Sequence, residues 1–513
     1  MDSNDSDGAP AMGASMGTAP LPASPPRTET KFGPLDQPNR LRRGVLGPFE
    51  VAASTMADIA PAMSFYFGFG FLAATSGIAS PLTIIAAGIA VAFLANTLSR
   101  YMQAHPSTGS FITFIGMGFG PTLAITTAIV LIGGYLVNIF SIMAISGGFM
   151  TMFLQNYFHS FPTWTWPIFV LLFVGGAAFL MIRGVHISVR WAGAFFVFEF
   201  AILLLVSIIA LIQNAGHLNL HPFNPHYLLS GVKGLGLGFP LAVYMFIGWE
   251  AAGPMAEETD QPRRNIPRAL FASVALMVVS FVLFAYATVE AFGENVDKLT
   301  SAPIPFIAVA QKELAFIAFL AYIAGVTSTV GCLIAAVNSQ ARLMFNSGRE
   351  GLLPKWLGKV STGRGTPARA LVVFLVIGLI GCFGWAWAQH ITPIVLFAEP
   401  STLGTILVIV VYAVANLSLP FFYLKHYRSQ FSLFRDLILP VIGTAAIVYP
   451  LYQLVKPGQP SPYDGAARGA AFGPRPPAGR GGGAPPPPPP RHPRPRRRRG
   501  PRPAAIAGPV VAV

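Results

Sequence analysis

The feature that most limits what this chain can fold into is a recurring uninterrupted apolar run of about the length that crosses a bilayer. Such runs extend over Glu50 to Ala74, Ala79 to Leu98, Pro121 to Phe149, Trp164 to Ile182, Trp191 to Ile212 and Val232 to Pro254. A second group covers Arg268 to Val289, Ala315 to Leu343, Ala368 to Ala388, Pro393 to Leu417 and Leu437 to Val455. At 1.5 Å per residue, about twenty helical residues span the ~30 Å hydrocarbon layer. Inside that layer a backbone N–H or C=O finds no partner outside its own segment, so each run is expected to be a helix. Eleven spans imply an all-α polytopic membrane protein. Hydrophobic residues are 53% of the chain and charged ones 11%, which excludes a soluble multidomain enzyme. Barrel strands alternate every second residue and leave no such continuous runs. Cys332 and Cys382 both fall inside apolar runs and read as small buried hydrophobes, so a disulfide scaffold is excluded too.

Net charge is +14, but ten of the 34 basic residues are arginines between Gly465 and Val513, a stretch with no acid. The remaining 24 basic and 20 acidic residues nearly cancel, and nucleic acid is not an expected partner. Assigning alternate loops to opposite sides puts twenty Lys and Arg on one side and four on the other. That asymmetry places the N-terminus in the cytoplasm of a cell whose plasma membrane holds the chain. Residues 1–48, rich in Pro, Gly, Ser and Ala, are expected to be a disordered cytoplasmic tail, and no cleaved signal peptide is expected ahead of the first span. The membrane domain is expected over 49–464. Of the 49 residues from Gly465 onward, 43 are Ala, Gly, Pro or Arg, the product expected when a GC-rich gene is read out of frame. A frameshift after about Asp464 is therefore the expected origin of this low-complexity tail, with a Pro/Arg-rich segment that binds anionic lipid or nucleic acid as the alternative.

Two spans are interrupted. The first holds STMADIAPAMSF, where Pro61 cannot donate to the helical ladder and Asp58 lies at membrane depth. The sixth holds YMFIGWEAAGP, where Gly248 stands among bulky residues and Glu250 follows. Either alone reads as a proline kink or a packing glycine. As a pair five helices apart they point to an inverted repeat, with freed backbone groups holding a polar substrate at the midplane.

The run FIGWEAAGPMAEETDQPRRNIPRAL, Phe246 to Leu270, resembles the sixth-helix signature of the amino acid, polyamine and organocation permeases. HPSTGSF (His105 to Phe111) is similar to that family's motif before the third helix, and GVHISVR (Gly184 to Arg190) to its loop between the fourth and fifth. NSQARLMFNSGREGLLPKWLGKVSTGRGTPARAL (Asn338 to Leu371) resembles its loop after the eighth. The resemblance covers about Gly47 to Tyr463. It implies the leucine-transporter architecture: five helices repeated upside down by the next five, helices one and six broken, and a substrate between helices one, three, six, eight and ten. Members usually carry twelve helices, whereas here the low-complexity tail stands in place of the twelfth. By position, Ile59, Ala60, Pro61 and Ala62, with Phe246, Ile247 and Gly248, would be the unwound segments that bind carboxylate and amino group, and Tyr244 an aromatic that closes over them. Many relatives have Gly-Ser-Gly where this chain has Ala60, Pro61 and Ala62, so its carboxylate site is expected to be built differently.

Four acids are expected at membrane depth: Asp58, Glu199, Glu250 and Glu399. An ionised acid there costs on the order of 3 kcal/mol, so each should be protonated, paired or facing a water-filled route. The resemblance gives Glu250 a role in gating or proton coupling. Glu199 matches a position where relatives hold a coupling cation or a replacement charge, with helix-to-helix hydrogen bonding as the alternative. Asp58 either meets a substrate ammonium or points along the helix to water. Thr327, Ser328 and Thr329 either ligate sodium or pack. Glu257, Glu258, Asp260, Arg263 and Arg264 are expected to form a solvated inner gate. GLGLGF (Gly234 to Phe239) has no surrounding strand that would make it a nucleotide loop, and neither a metal site nor a cofactor is expected. The combined reading is a secondary-active permease, not an enzyme, moving a small amino acid or related amine through the bilayer by alternating access. A coupling proton, sodium ion or exchange partner would drive it; a polyamine or ethanolamine carrier is the alternative.

Overall fold

A computed structural model describes residues 41–229, 231–313, 315–361 and 364–455. The expected tail 465–513, and 1–40 of the expected N-terminal tail, lie outside the described residues. Among those described there is no strand, only an isolated bridge between Leu46 and Thr259. The helices are α1 (Pro48–Ile59), α2 (Pro61–Ser76), α3 (Ser80–Ala104), α4 (Ser110–Phe119), α5 (Pro121–Tyr157), α6 (Trp166–Arg183) and α7 (Val185–Gln213). They continue as α8 (Val232–Tyr244), α9 (Pro262–Ala291), the short α10 (Val296–Ser301) and α11 (Pro305–Glu313), α12 (Ala315–Glu350), α13 (Ala368–Gln389), α14 (Pro393–His426) and α15 (Leu439–Val455). Prolines open α1, α2, α3, α5, α6, α9 and α14 within the first two positions, where a missing N–H costs nothing.

Eight segments are long and apolar enough to cross a membrane by length and composition. One of them, Pro48–Ala104, contains both the first and second expected spans. The sixth and eleventh expected spans correspond to the shorter α8 and α15, of 13 and 17 residues. The chain is thus an all-helical polytopic membrane protein. Large apolar side chains such as Ile129, Leu172, Val279 and Ile380 point outward, the face that a lipid solvent rather than water accommodates.

The helices form a centre and a rim. The apolar windows of α5, α12 and α14 are 67% buried, whereas those of the segments containing α6 and α13 are 28% and 33% buried. α5 crosses α14 most extensively, α3 lies on α9, and α12 on α7, while α1 is held between α7, α9 and α12. The α5–α14 crossing is close because both helices present glycine. A Cβ on Gly404 would stand 2.7 Å from the Gly134 carbonyl oxygen, and one on Gly134 3.1 Å from the Gly404 carbonyl oxygen. Small residues at such crossings let backbones approach where no hydrophobic force separates helix from lipid.

One end of the bundle gathers the arginines and is tied by ion pairs. Arg100 of α3 makes a two-bonded pair with Asp436, 2.6 and 2.9 Å, ahead of α15, and its guanidinium lies 4.5 Å from the centre of the Tyr423 ring. Arg342 of α12 pairs with Glu258 at 2.5 Å, both fully buried, and Arg349 pairs with Glu257. Residues 41–47, within the segment expected to be tail, join this layer: Leu46 N–H donates to the Glu258 carbonyl and Asp260 N–H to the Leu46 carbonyl, each at 2.9 Å.

Asp436 is fully buried and holds both Arg100 and the Ser432 N–H. Asp436→Ala would leave a guanidinium without its partner, a loss of about 3–5 kcal/mol. Thermal unfolding of the detergent-solubilised protein should therefore move down by several degrees; an unchanged melting point would show that this pair does not anchor α15.

Candidate functional site

The break in the first span follows from Pro61. The proline ring disfavours the α-helical region for the residue before it, and Ala60 takes φ 52°, ψ 72°, left-handed for a residue with a Cβ. That conformation costs about 1–2 kcal/mol. Pro61 also has no N–H to give to the preceding turn. α1 ends at Ile59 with Ala60 N–H donating to the Met56 carbonyl at 3.1 Å, and the Ser64 hydroxyl donates back to the Ile59 carbonyl at 2.6 Å. At the start of α2, Ala62 N–H donates to Glu199 Oε2 and Met63 N–H to the Ser328 hydroxyl, both at 3.0 Å.

In the sixth span α8 stops at Tyr244, and the chain passes through tight turns. Phe246, Ile247, Trp249, Ala251 and Gly253 N–H groups each donate to the carbonyl three residues back. Gly248 has φ 105°, and a Cβ there would sit 2.8–2.9 Å from the carbonyl carbon and oxygen of Asp58 and the nitrogen of Ile59. The two breaks therefore touch, backbone against backbone, and only glycine permits the contact.

Around this junction lies a cavity of about 40 Å³, room for a few water-sized groups. The breaks contribute Asp58, Ile59, Tyr244, Ile247 and Gly248; α2 contributes Met63 and Ser64. α5 supplies Asn138, Ser141 and Ile142, α12 Cys332 and Gln340, α14 Phe397 and Ser401. Asn138 Nδ2, Ser141 Oγ and Gln340 Oε1 are buried without a hydrogen-bond partner. Unmatched polar atoms facing one small cavity are what a polar ligand would satisfy. Rings meet edge-on or tilted next to its wall: Phe67 lies 5.5 Å from both Phe149 and Phe397, and Tyr244 6.3 Å from Phe397.

Of the residues singled out from sequence, Asp58, Ile59, Tyr244, Ile247 and Gly248 line the cavity. Ala60, Pro61, Ala62 and Phe246 do not; Phe246 instead packs edge-on against Phe281, 5.4 Å away. The four acids expected at membrane depth are all buried. The Asp58 carboxyl makes no hydrogen bond among the described residues. Glu250 accepts from the Tyr135 hydroxyl at 2.6 Å, Glu199 is bonded to Ala62, and Glu399 faces the Trp385 indole N–H at 3.5 Å. Thr327 and Thr329 donate to carbonyls of their own helix, as packing hydroxyls do. Ser328 alone of the three reaches another element. At the arginine-rich end the partners of Glu257 and Glu258 are Arg349 and Arg342 of α12, while Arg263, Arg264 and Asp260 are exposed. The pairing is thus between α12 and the turn that precedes α9, and its Arg342–Glu258 centre is dry.

Asn138, Ser141, Gln340, Ser401 and the tyrosine partner of Glu250 were missed from sequence. Their elements are those the resemblance implied, α5, α12 and α14. The available signal was an amide or hydroxyl interrupting an apolar run, as Asn138 does in LVNIFSIM.

The amino acid permease family model matches residues 51–466. The branched-chain amino acid permease BcaP of Bacillus subtilis is 24% identical over 409 residues, 75% of this chain and 82% of that protein. The same organism's uncharacterized amino acid permease YecA is 22% identical over 300 residues, 58% of this chain and 66% of its own length. Cationic amino acid transporter 1 of Arabidopsis thaliana is 28% identical over 254 residues, 48% of this chain and 40% of its own. The chain therefore aligns with less than two thirds of the length of YecA and of the plant transporter. With the match running through both broken spans and the cavity between them, the chain belongs to the amino acid permease family.

Proposed function

We propose that this chain is a secondary-active permease that moves a small amino acid or related amine across the plasma membrane by alternating access, with its N-terminus in the cytoplasm. The observation that carries the reading is the junction itself. Two spans break where they meet, through Pro61 and Gly248, and a small polar cavity opens at the meeting point. Membrane helices rarely leave backbone unwound except where it lines a cavity that binds something. An inverted five-plus-five repeat accounts for the two breaks lying five spans apart.

Phe397 of the cavity wall packs against Phe67, and Phe67 against Phe149, while the Arg342–Glu258 and Arg349–Glu257 pairs tie α12 to the segment that follows the sixth break; we take these two groups as the closures toward the two sides of the membrane. Opening one closure at a time would expose the site to one side of the membrane at a time. Glu199 is the residue we assign to coupling. Its Oε2 holds the Ala62 N–H at the head of α2 while its Oε1 has no partner, so a proton arriving there would alter the charge directly behind the break.

Uptake and counterflow in proteoliposomes, using labelled leucine, lysine and putrescine, test the carrier reading. Saturable exchange of at least one is expected, and flux without counterflow would point to a channel. In the same assay Gly248→Ala should lower uptake at least tenfold, because its methyl would press on the Asp58–Ile59 peptide and part the two breaks. Wild-type uptake by a folded Gly248→Ala protein would remove the junction from the mechanism.

Glu199→Gln keeps an oxygen for the Ala62 N–H but cannot exchange a proton. It should retain binding and exchange while losing accumulation driven by a pH gradient. If the variant still concentrates substrate with unchanged pH dependence, Glu199 serves packing alone.

A further inference from the structure

At the end of the bundle opposite the arginines, the connector from α7 toward α8, residues 214–229, folds back over its neighbours. It leads into the half of the sixth span that ends at the cavity with Tyr244. Two bonds between neutral groups fasten it. Leu229 N–H donates to the carbonyl of Ser76, the last residue of α2, at 3.1 Å, and the Tyr286 hydroxyl of α9 donates to the Asn219 carbonyl at 2.9 Å.

A third fastening is charged. Exposed His221 places Nδ1 3.2 and 3.3 Å from the two carboxyl oxygens of Glu294, just beyond α9. The turn at Gly293 and Glu294, φ 60° and 58°, and the Glu294 N–H donated to the Val289 carbonyl hold that carboxyl over the end of α9. Glu290, in the last turn of α9, is buried with Oε1 unpartnered, within electrostatic reach of both Glu294 and His221. Like charges four residues apart repel, and a cation beside them offsets the repulsion.

The other neighbours leave the imidazole as the group that changes charge. Tyr227 stacks on it with ring centres 4.6 Å apart, and His226 meets the Tyr227 ring edge-on at 5.9 Å. α3 and the turn Gly77–Ala79 pack against the turn His221–Phe223; that turn has no ionisable side chain, and Arg100 and Tyr101 of α3 lie at its far end. Lys312 of α11, which donates to the Ala291 carbonyl, keeps its charge at all pH values near neutral.

We infer that His221 and Glu294 form a proton-dependent clasp, in which a charged imidazole pins the connector to the end of α9 and a neutral one releases it. Histidine ordinarily changes charge between about pH 5 and 8, so the clasp is made in acid and lost as the pH rises. Its control of turnover rests on the permease reading. Through Leu229 the connector holds the outer end of α2, and it runs on into α8, so the clasp ties both half-helices that leave the breaks to α9. Acid on this side should slow any opening that moves them.

A spin label on Leu218→Cys, an exposed connector position, reads the clasp in the purified full-length chain in detergent; the native Cys332 and Cys382 are buried. Low ionic strength keeps an exposed pair from being screened. The label should be at least roughly threefold slower in rotation at about pH 5.5 than at about pH 8. Added to the labelled chain, His221→Gln should leave it fast at both values and His221→Arg, permanently charged, slow at both. Equal mobility at the two pH values in the otherwise unaltered labelled chain, or an unchanged pH response in His221→Gln, would overturn the clasp. Counterflow with equal pH on both sides tests its control of turnover. The ratio of the rate at the higher pH to that at the lower should be at least roughly threefold greater in wild type than in His221→Arg; equal ratios would overturn that control. Counterflow with a label indifferent to pH removes the clasp and leaves the carrier, whereas a pH-responsive label without counterflow of any substrate supports the clasp and removes the carrier.

Discussion

The contact on which the site depends is between two stretches of backbone: Gly248 against the Asp58–Ile59 peptide. Neither break is stable on its own terms. Ala60 sits in a left-handed conformation that disfavours any residue with a Cβ, and the residues after Tyr244 exchange helical bonds for tighter three-residue turns. Each break leaves groups that hydrocarbon would not tolerate. Placed together, and surrounded by α5, α7, α12 and α14, they find partners in Glu199, Ser328, Cys332 and Tyr135. The packing of the long helices serves this, since α1 is held between α7, α9 and α12.

That environment explains why a membrane interior carries so many acids. Glu199 answers the donor end of α2 and Glu250 holds a tyrosine hydroxyl of α5, each through one carboxyl oxygen, while the other oxygen of each has no partner among the described residues. Asp58 has no such duty and faces the cavity. Three carboxyls within a short distance of one junction would be expensive if all were ionised and unpaired. Two of the three being engaged with neighbours makes the third the distinctive one.

Much of the fold was legible because bilayer thickness fixes helix length and apolar runs cannot hide: ten of the eleven expected runs fall on helices, and the sixth does so as far as Tyr244. Both breaks were legible from Pro61 and Gly248, residues whose backbone limits hold in any context. The cavity walls were less so. Asn138 and Gln340 depend on which way a long helix is rotated, which sequence periodicity resolves poorly when the helix is apolar on nearly every face. The partners of Glu257 and Glu258 were misplaced onto nearby Arg263 and Arg264 because proximity in sequence is a poor guide across a helical hairpin; Arg342 and Arg349 reach them from α12. The role of Ala62 shifted for the same reason, since its partner Glu199 lies 137 residues away.

The two groups proposed as closures differ in kind. On one side aromatic rings meet edge to face and tilted, each pair contributing about 0.5–1.5 kcal/mol beyond its buried area and tolerant of sliding. On the other, Arg342 and Glu258 are a dry, directional pair that cannot be drawn apart by degrees without stranding a charge, and the Leu46 backbone is bonded to the same segment. A cavity reached from both ends would therefore open easily on its aromatic side and in a single larger step at its arginine-rich end. Parting Arg342 from Glu258 there would strand two buried charges, and the Leu46 bonds join the same segment to the chain preceding α1.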